Sequence, residues 1–186
     1  MQRLFATLCL VAAAVAPPPA LAHVTLTEPI FEAGRNFAAF FRVDEGCASS
    51  PTVSLEVSIP ESVIVLDLPE KPGWTVSASR VPLSPPLATE RGLIRERVTA
   101  VTWRGRLGTN TADQFGLFVR LPASTGPLYF PAIQRCERGE ARWTDTPAND
   151  SGSAALRRLA PMLNLVSVKD SGTHENAGQE PAHDHH

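Results

Sequence analysis

From Val24 onward the chain is built of short runs in which apolar and polar residues alternate. The clearest is Val53-Ser-Leu-Glu-Val-Ser-Ile59. It puts Val53, Leu55, Val57 and Ile59 on one face and Glu56 on the other, the period of a strand buried on one side. Arg97 to Trp103 alternates in the same way and stops at Gly105. Val24-Thr-Leu26 is broken by Glu28-Pro29, and Phe37 to Val43 ends at Asp44-Glu45-Gly46. Further runs cover Val63–Leu68, Trp74–Ala78, Phe115–Leu121, Leu128–Ile133 and Glu140–Thr144, with Met162–Val168 as a final candidate. Pro, Gly and Asp separate them, and Pro82 to Gly92 reads as a proline-rich loop. A helical period occurs only around Ser153 to Ala160. About eight short strands at this spacing predict an all-β sandwich.

The two ends of the chain differ from this middle. Arg3, the apolar run Leu4–Ala16 and the small-x-small triplet Ala20-Leu21-Ala22 have the layout of a secretory signal. The apolar run is too short to span a bilayer. Residues 1–22 are therefore expected to be removed, and 23–168 to form one domain. Residues 169–186 hold no apolar anchor and are expected to be a disordered, histidine-rich tail. No later segment approaches a membrane-spanning length, so no membrane anchor is expected in the mature chain, which should be periplasmic or secreted. The formal net charge is −2, and no basic run suggests nucleic acid.

Cysteine usage agrees with export. Cys9 lies in the signal, leaving Cys47 and Cys136. An even pair in an oxidising compartment favours a disulfide; a two-thiolate metal site is the rival reading.

The histidines carry the most information. There are five, His23, His174, His183, His185 and His186, and none lies between His23 and His174. The domain therefore offers no internal histidine for a Ser-His or Cys-His pair, nor two for a blue-copper centre. Cleavage after Ala22 would make His23 the first residue. A free α-amine titrates near about 8, so a metal displaces its proton at small cost. Amine and imidazole Nδ1 together chelate one ion, and planar nitrogen ligands suit Cu(II) best among divalent first-row metals. The competing reading is a solvated first residue. Strand parity puts Glu56 on an outward face, where a carboxylate could complete the site; Glu28 is the alternative.

A set of segments then carries a family likeness. "AHVTL", "FRVDEGCASSPTVSLEVSIPESV", "PEKPGW", "VTAVTWRG", "LYFPAIQRCERGEARW" and "APMLNL", in that order, resemble the YcnI-like copper-binding domain over almost all of 23–168. The resemblance implies an immunoglobulin-like or cupredoxin-like β-sandwich of about 7–9 strands. It also implies a Cu(II) site in which the mature N-terminal histidine binds through amine and ring. On that pattern His23 is the ligand, Trp143 in "GEARW" is the tryptophan against the metal, and Glu56 is the carboxylate. Spacing alone would place Trp143 in the core with Trp74 and Trp103. Cys47 and Cys136 resemble the "GC…Q-x-C" arrangement of one branch of the family, as a structural disulfide.

Three functions follow as expectations. The first is a non-enzymatic periplasmic copper protein that receives, stores or delivers Cu(II), with another periplasmic copper chaperone or copper enzyme as partner and the tail gathering metal for it. The second is a copper oxygenase, which would need a second histidine from within the fold. The third is a β-sandwich adhesion or assembly module with incidental histidines.

Overall fold

The structure is a computed structural model that describes residues 23–47, 50–89, 92–147 and 158–167. The expected signal 1–22, the tail 169–186 and most of the helical period at 153–160 lie outside the described residues.

Alternation in the sequence becomes alternation in burial. The strand Asn36–Val43 (β3) reads exposed, buried, exposed, buried throughout. Leu55 and Val57 of Thr52–Ser58 (β4) are fully buried while Glu56 between them is not. The chain before β3 contributes Val24–Leu26 (β1) and Ile30–Glu32 (β2). After β4 come Ile64–Asp67 (β5), Thr75–Thr89 (β6), Gly92–Leu107 (β7) and Asp113–Arg120 (β8). The last four are Gly126–Tyr129 (β9), Ala132–Cys136 (β10), Glu140–Trp143 (β11) and Met162–Val166 (β12). Among the described residues there is no helix.

These strands form three sheets, in the orders β1-β3-β8-β5, β11-β10-β4-β7-β6 and β2-β12-β9. Phe37, Phe41, Phe115 and Val119 of the first sheet share one core with Leu55, Val57, Val101, Trp103 and Trp143 of the second. Leu163 and Leu165 of the third sheet join it. The all-β sandwich expected from the sequence is what the chain adopts. Trp103 is fully buried, with its ring 5.7 Å from Phe115. Trp74, expected in the core, packs edge-on to Phe115 at 4.7 Å but lies at the core's margin. Gly105 makes room for it, because a Cβ there would fall 2.5 Å from the Trp74 ring.

Two local expectations are corrected, and one strand was not expected. The described residues of Pro82–Gly92 are not a loop: β6 runs to Thr89 and β7 starts at Gly92, and the two pair Leu87 with Ile94 and Thr89 with Gly92. Prolines are tolerated there because β6 is the edge strand of its sheet and their missing N–H groups have no ladder to break. Pairing is interrupted between Pro82 and Leu87, where Pro85 and Pro86 sit. Leu128–Ile133 is not one strand. Pro131 divides it, so that β9 pairs in the third sheet and β10 in the second. The short β2, just past Pro29, pairs in parallel with β12 and had no alternation long enough to reveal it.

Cys47 and Cys136 form the disulfide, with Cα atoms 5.9 Å apart across a sequence separation of 89. This excludes the two-thiolate metal site. The bond ties the loop after β3, in the first sheet, to the end of β10, in the second. Closing a loop of that length restricts the unfolded chain strongly. Replacing both cysteines by serine is expected to lower the unfolding free energy by about 4 kcal/mol. Urea denaturation of the two proteins side by side checks this, and an unchanged midpoint would contradict it.

Candidate metal centre

A β-sandwich has open sides where its edge strands lie. Here β1 ends the first sheet and β11 ends the second. His23 immediately precedes β1 and Trp143 is the last residue of β11. The two edges come together there: the imidazole stacks on the indole, centroids 5.0 Å apart and planes inclined by 29°. His23 is exposed and Trp143 is 1% exposed. The histidine thus caps a buried aromatic ring while one side stays open to solvent.

The position of Trp143 follows from register. It pairs with Ala132, which pairs with Val57, which pairs with Val101. All four are on the core side of the sheet. The turn before β11 sets this register, with Gly139 at φ +84°, a left-handed conformation that favours glycine. Trp143 Nε1 is buried and has no hydrogen-bond partner among the described residues. Trp103 Nε1, deeper in the core, is unpaired in the same way, so what sets the Trp143 indole apart is the exposed histidine stacked on it.

Glu56 is not part of this corner. It follows Leu55 on β4 and points to the opposite side of the sheet from Trp143. Its Oε2 accepts a hydrogen bond from Arg135 Nη1 at 3.0 Å, and Arg135 Nε lies 3.8 Å from Glu140 Oε2. Glu140 in turn pairs with Arg142 at 2.6 Å. These are half-exposed charges, worth about 0–1 kcal/mol per pair. They form a solvated ladder on the outer face. Glu28, the alternative carboxylate, is exposed and lies beyond β1. The structure therefore brings together His23 and Trp143, and leaves Glu56 on the far face of its sheet. Among the described residues no group of three or more His, Cys, Asp and Glu is placed to hold a metal ion.

Two features of this corner were not read from the sequence. One is Gln134, fully buried on β10. Its Nε2 donates to the Glu45 carbonyl at 2.7 Å and to Thr52 Oγ1 at 2.8 Å. That bond and the disulfide two residues further along fasten the loop after β3 to the strand beside β11. A polar residue between buried Ala132 and Cys136 was the available signal. The other is Asp44. The β1–β3 ladder ends with Val24 opposite Val43, so the next position on each strand sets His23 opposite Asp44. Pairing the first two alternating runs would have shown this.

The donor chemistry of this corner suits the copper ion that the family likeness implies only if the chain is cut before His23. In the uncut chain the His23 backbone nitrogen is an amide and a poor ligand. Cleavage after Ala22 would turn it into an amine, next to an exposed imidazole. Two nitrogens from one residue make a chelate, the neighbouring indole N–H is unpaired, and His23 is exposed. The residues fit an ion held at few points by the first residue of a mature chain.

Fold and corner together define an immunoglobulin-like β-sandwich whose edges are closed by a histidine–tryptophan stack. The model of the family described as Domain of unknown function (DUF1775) matches residues 23–165. The chain belongs to that family, which is the YcnI-like family. The match begins at His23, the residue expected to follow the signal. No curated protein matches the chain. Among solved structures it is similar to an uncharacterized protein from Nocardia farcinica with an immunoglobulin-like fold. That likeness has 25% identity and a TM-score of 0.57, and covers 78% of this chain and 99% of that one. A ScaB type I cohesin from Pseudobacteroides cellulosolvens is more distant, at 7% identity and a TM-score of 0.39, covering 82% of this chain and 97% of that one.

The stack has a direct spectroscopic signature. The His23 ring protons, lying over an indole face, are expected upfield of their free-histidine positions in the proton NMR spectrum. In Trp143→Leu they should return towards those positions. Unshifted His23 resonances in the parent would show that the stack does not persist in solution.

Proposed function

We propose that this protein is exported, cut after Ala22, and binds one Cu(II) ion through the amine and imidazole of His23 against Trp143. It acts in copper handling, as a carrier or store rather than an enzyme. The observation that carries the reading is the His23–Trp143 stack. It joins the one histidine before residue 174 to a buried indole with an unpaired donor. The indole would exclude water from one side of the ion, and its N–H would donate to an oxygen ligand on the metal. A stacked aromatic face also stabilises nearby positive charge.

A carrier role is supported by what surrounds the site. The corner offers few ligands and stays exposed, so metal can enter and leave by exchange with another periplasmic copper protein. Oxygen activation by a copper brace needs a second internal histidine, and His23 has none within the described residues. A disulfide and a β-sandwich are compatible with an extracellular or periplasmic setting. No helix among the described residues is long and apolar enough to cross a membrane. The tail histidines His174, His183, His185 and His186 would gather copper weakly and speed loading of the folded site.

Competition titration of Cu(II) against a chelator of known affinity tests this on three proteins beginning at His23. The parent is expected to bind one ion tightly, and a form lacking residues 169–186 to bind it as tightly but load more slowly. His23→Ala should weaken binding by at least about a hundredfold, the loss of a chelating ring (about 2.7 kcal/mol). Equal affinity of His23→Ala and parent would refute the reading. Because both nitrogens must lose their protons to bind, affinity should fall as the solution is acidified. An affinity independent of pH would point to other ligands.

A further inference from the structure

We propose that the first part of β6, residues 75–79, is a docking edge for a second copy of this chain, so that two sandwiches join through one continuous sheet. The inference does not depend on the copper reading. It concerns the side of the sandwich where β5 and β6 end their sheets, away from the β1 and β11 edges that carry His23 and Trp143.

The open edge is the first argument. β6 ends the second sheet and pairs only with β7 among the described residues, so one side of its backbone has no partner strand. Its length sets it apart. The other strands that end sheets, β1, β2, β5, β9 and β11, have three or four residues, and β6 has 15. A bare edge is a template for another chain, and proteins guard it with charged side chains, proline or bulges. On β6 the guards lie in the far half. Pro82, Pro85 and Pro86 fall there, and a bulge interrupts the ladder between Ser79 and Arg80. The stretch Thr75-Val-Ser-Ala-Ser79 holds neither a proline nor a charge.

The core margin beside that edge is the second argument. Trp74, Val76 and Ala78 are only partly buried against the core, as are Val65 and Leu68 on the β5 side. A cleft of about 760 Å³ runs along the edge, with Leu68, Trp74, Val76 and Ala78 in its lining. The far side of the sandwich is closed by the His23–Trp143 stack, whereas here the apolar margin is left open. A strand added to β6 would satisfy the free backbone groups and lay its alternate side chains over this margin.

Sequence and charge make a second copy the occupant. Paired antiparallel about Ser77, two copies set Thr75 opposite Ser79 and Val76 opposite Ala78. Small hydroxyls then meet on the outer face and small apolar groups over the cleft, with no like charges opposed. The two ends of the edge carry opposite charges. Glu70 lines the cleft ahead of the turn at Lys71 and Trp74, and Arg80 lines it just past Ser79. Neither takes part in an ion pair among the described residues. Lys71, next to Glu70, is held by Asp113 at 2.8 Å. The two-fold brings Glu70 of each copy towards Arg80 of the other. Such an interface uses the same patch on both copies and closes on itself. The bulge and the prolines keep the pairing from spreading along β6, so the product is a dimer and not a fibre.

The test is sedimentation equilibrium of the chain beginning at His23, over about 1 μM to 1 mM protein, with a chelator present so that no metal bridges two copies. The parent is expected to pass from monomer to dimer as concentration rises. Ser77→Lys opposes two lysines at the two-fold and should raise the dimer Kd by about tenfold or more. Ser77 is exposed, so the thermal melting of the monomer should stay parental. Arg80→Glu should weaken the dimer in the same direction, and combining it with Glu70→Arg should restore the parental Kd, because the reversed charges still meet. A merely structural role for either residue would not give that rescue. A parent that stays monomeric at the highest concentration leaves the edge to some other chain and overturns the inference. A dimer whose Kd is unmoved by Ser77→Lys sits on another surface and overturns it too. Failure of the double reversal to restore the Kd removes the antiparallel pairing about Ser77, and with it the proposal.

Discussion

The edges of the two main sheets have to be closed, and on one side of this sandwich a single aromatic stack does it. β1 and β11 are the terminal strands of different sheets, and they meet through His23 and Trp143. The histidine directly precedes a three-residue strand, and the buried ring on the facing edge gives it a surface to rest on. The geometry follows from strand order: β11 is terminal because the hairpin at Gly139 folds it back on β10, and β1 is terminal because β3 pairs with β8 on its other side.

The same corner is braced from within. The disulfide and the Gln134 amide bind the loop after β3 to β10, so the two sheets cannot shear past one another there. Stability and the candidate site share parts here. The cross-link that restricts the unfolded chain also fixes the loop after β3, and the tryptophan that fills the end of the core also faces the histidine. On the proposed reading as a metal carrier such sharing is useful, since a site built from few ligands needs them held in place by the fold.

The sandwich was legible because its strands alternate strictly where they are half-buried, as β3 and β4 do. Legibility failed where proline altered the pattern. In β6 an edge strand tolerates prolines that read as a loop, and at Pro131 one apolar run serves two sheets. His23 stood out by its isolation, and the Cys47–Cys136 pair by its even count. Trp143 needed the family likeness, because a tryptophan at a buried strand position reads as ordinary core, which by burial it is. Glu56 was misplaced relative to the site for a different reason. Parity shows which face of its own strand a residue occupies, but not which sheet edge that face adjoins.

The central claim is that a cleaved amine at His23 makes the site. The most direct measurement is the Cu(II) affinity of the mature chain beginning at His23 against the same chain carrying one additional alanine before it. The extra residue leaves the imidazole, the indole and every internal contact in place, and converts only the amine into an amide. The extended chain is expected to lose tight binding and the parental copper spectrum. Equal affinity and an unchanged spectrum in the extended chain would contradict it.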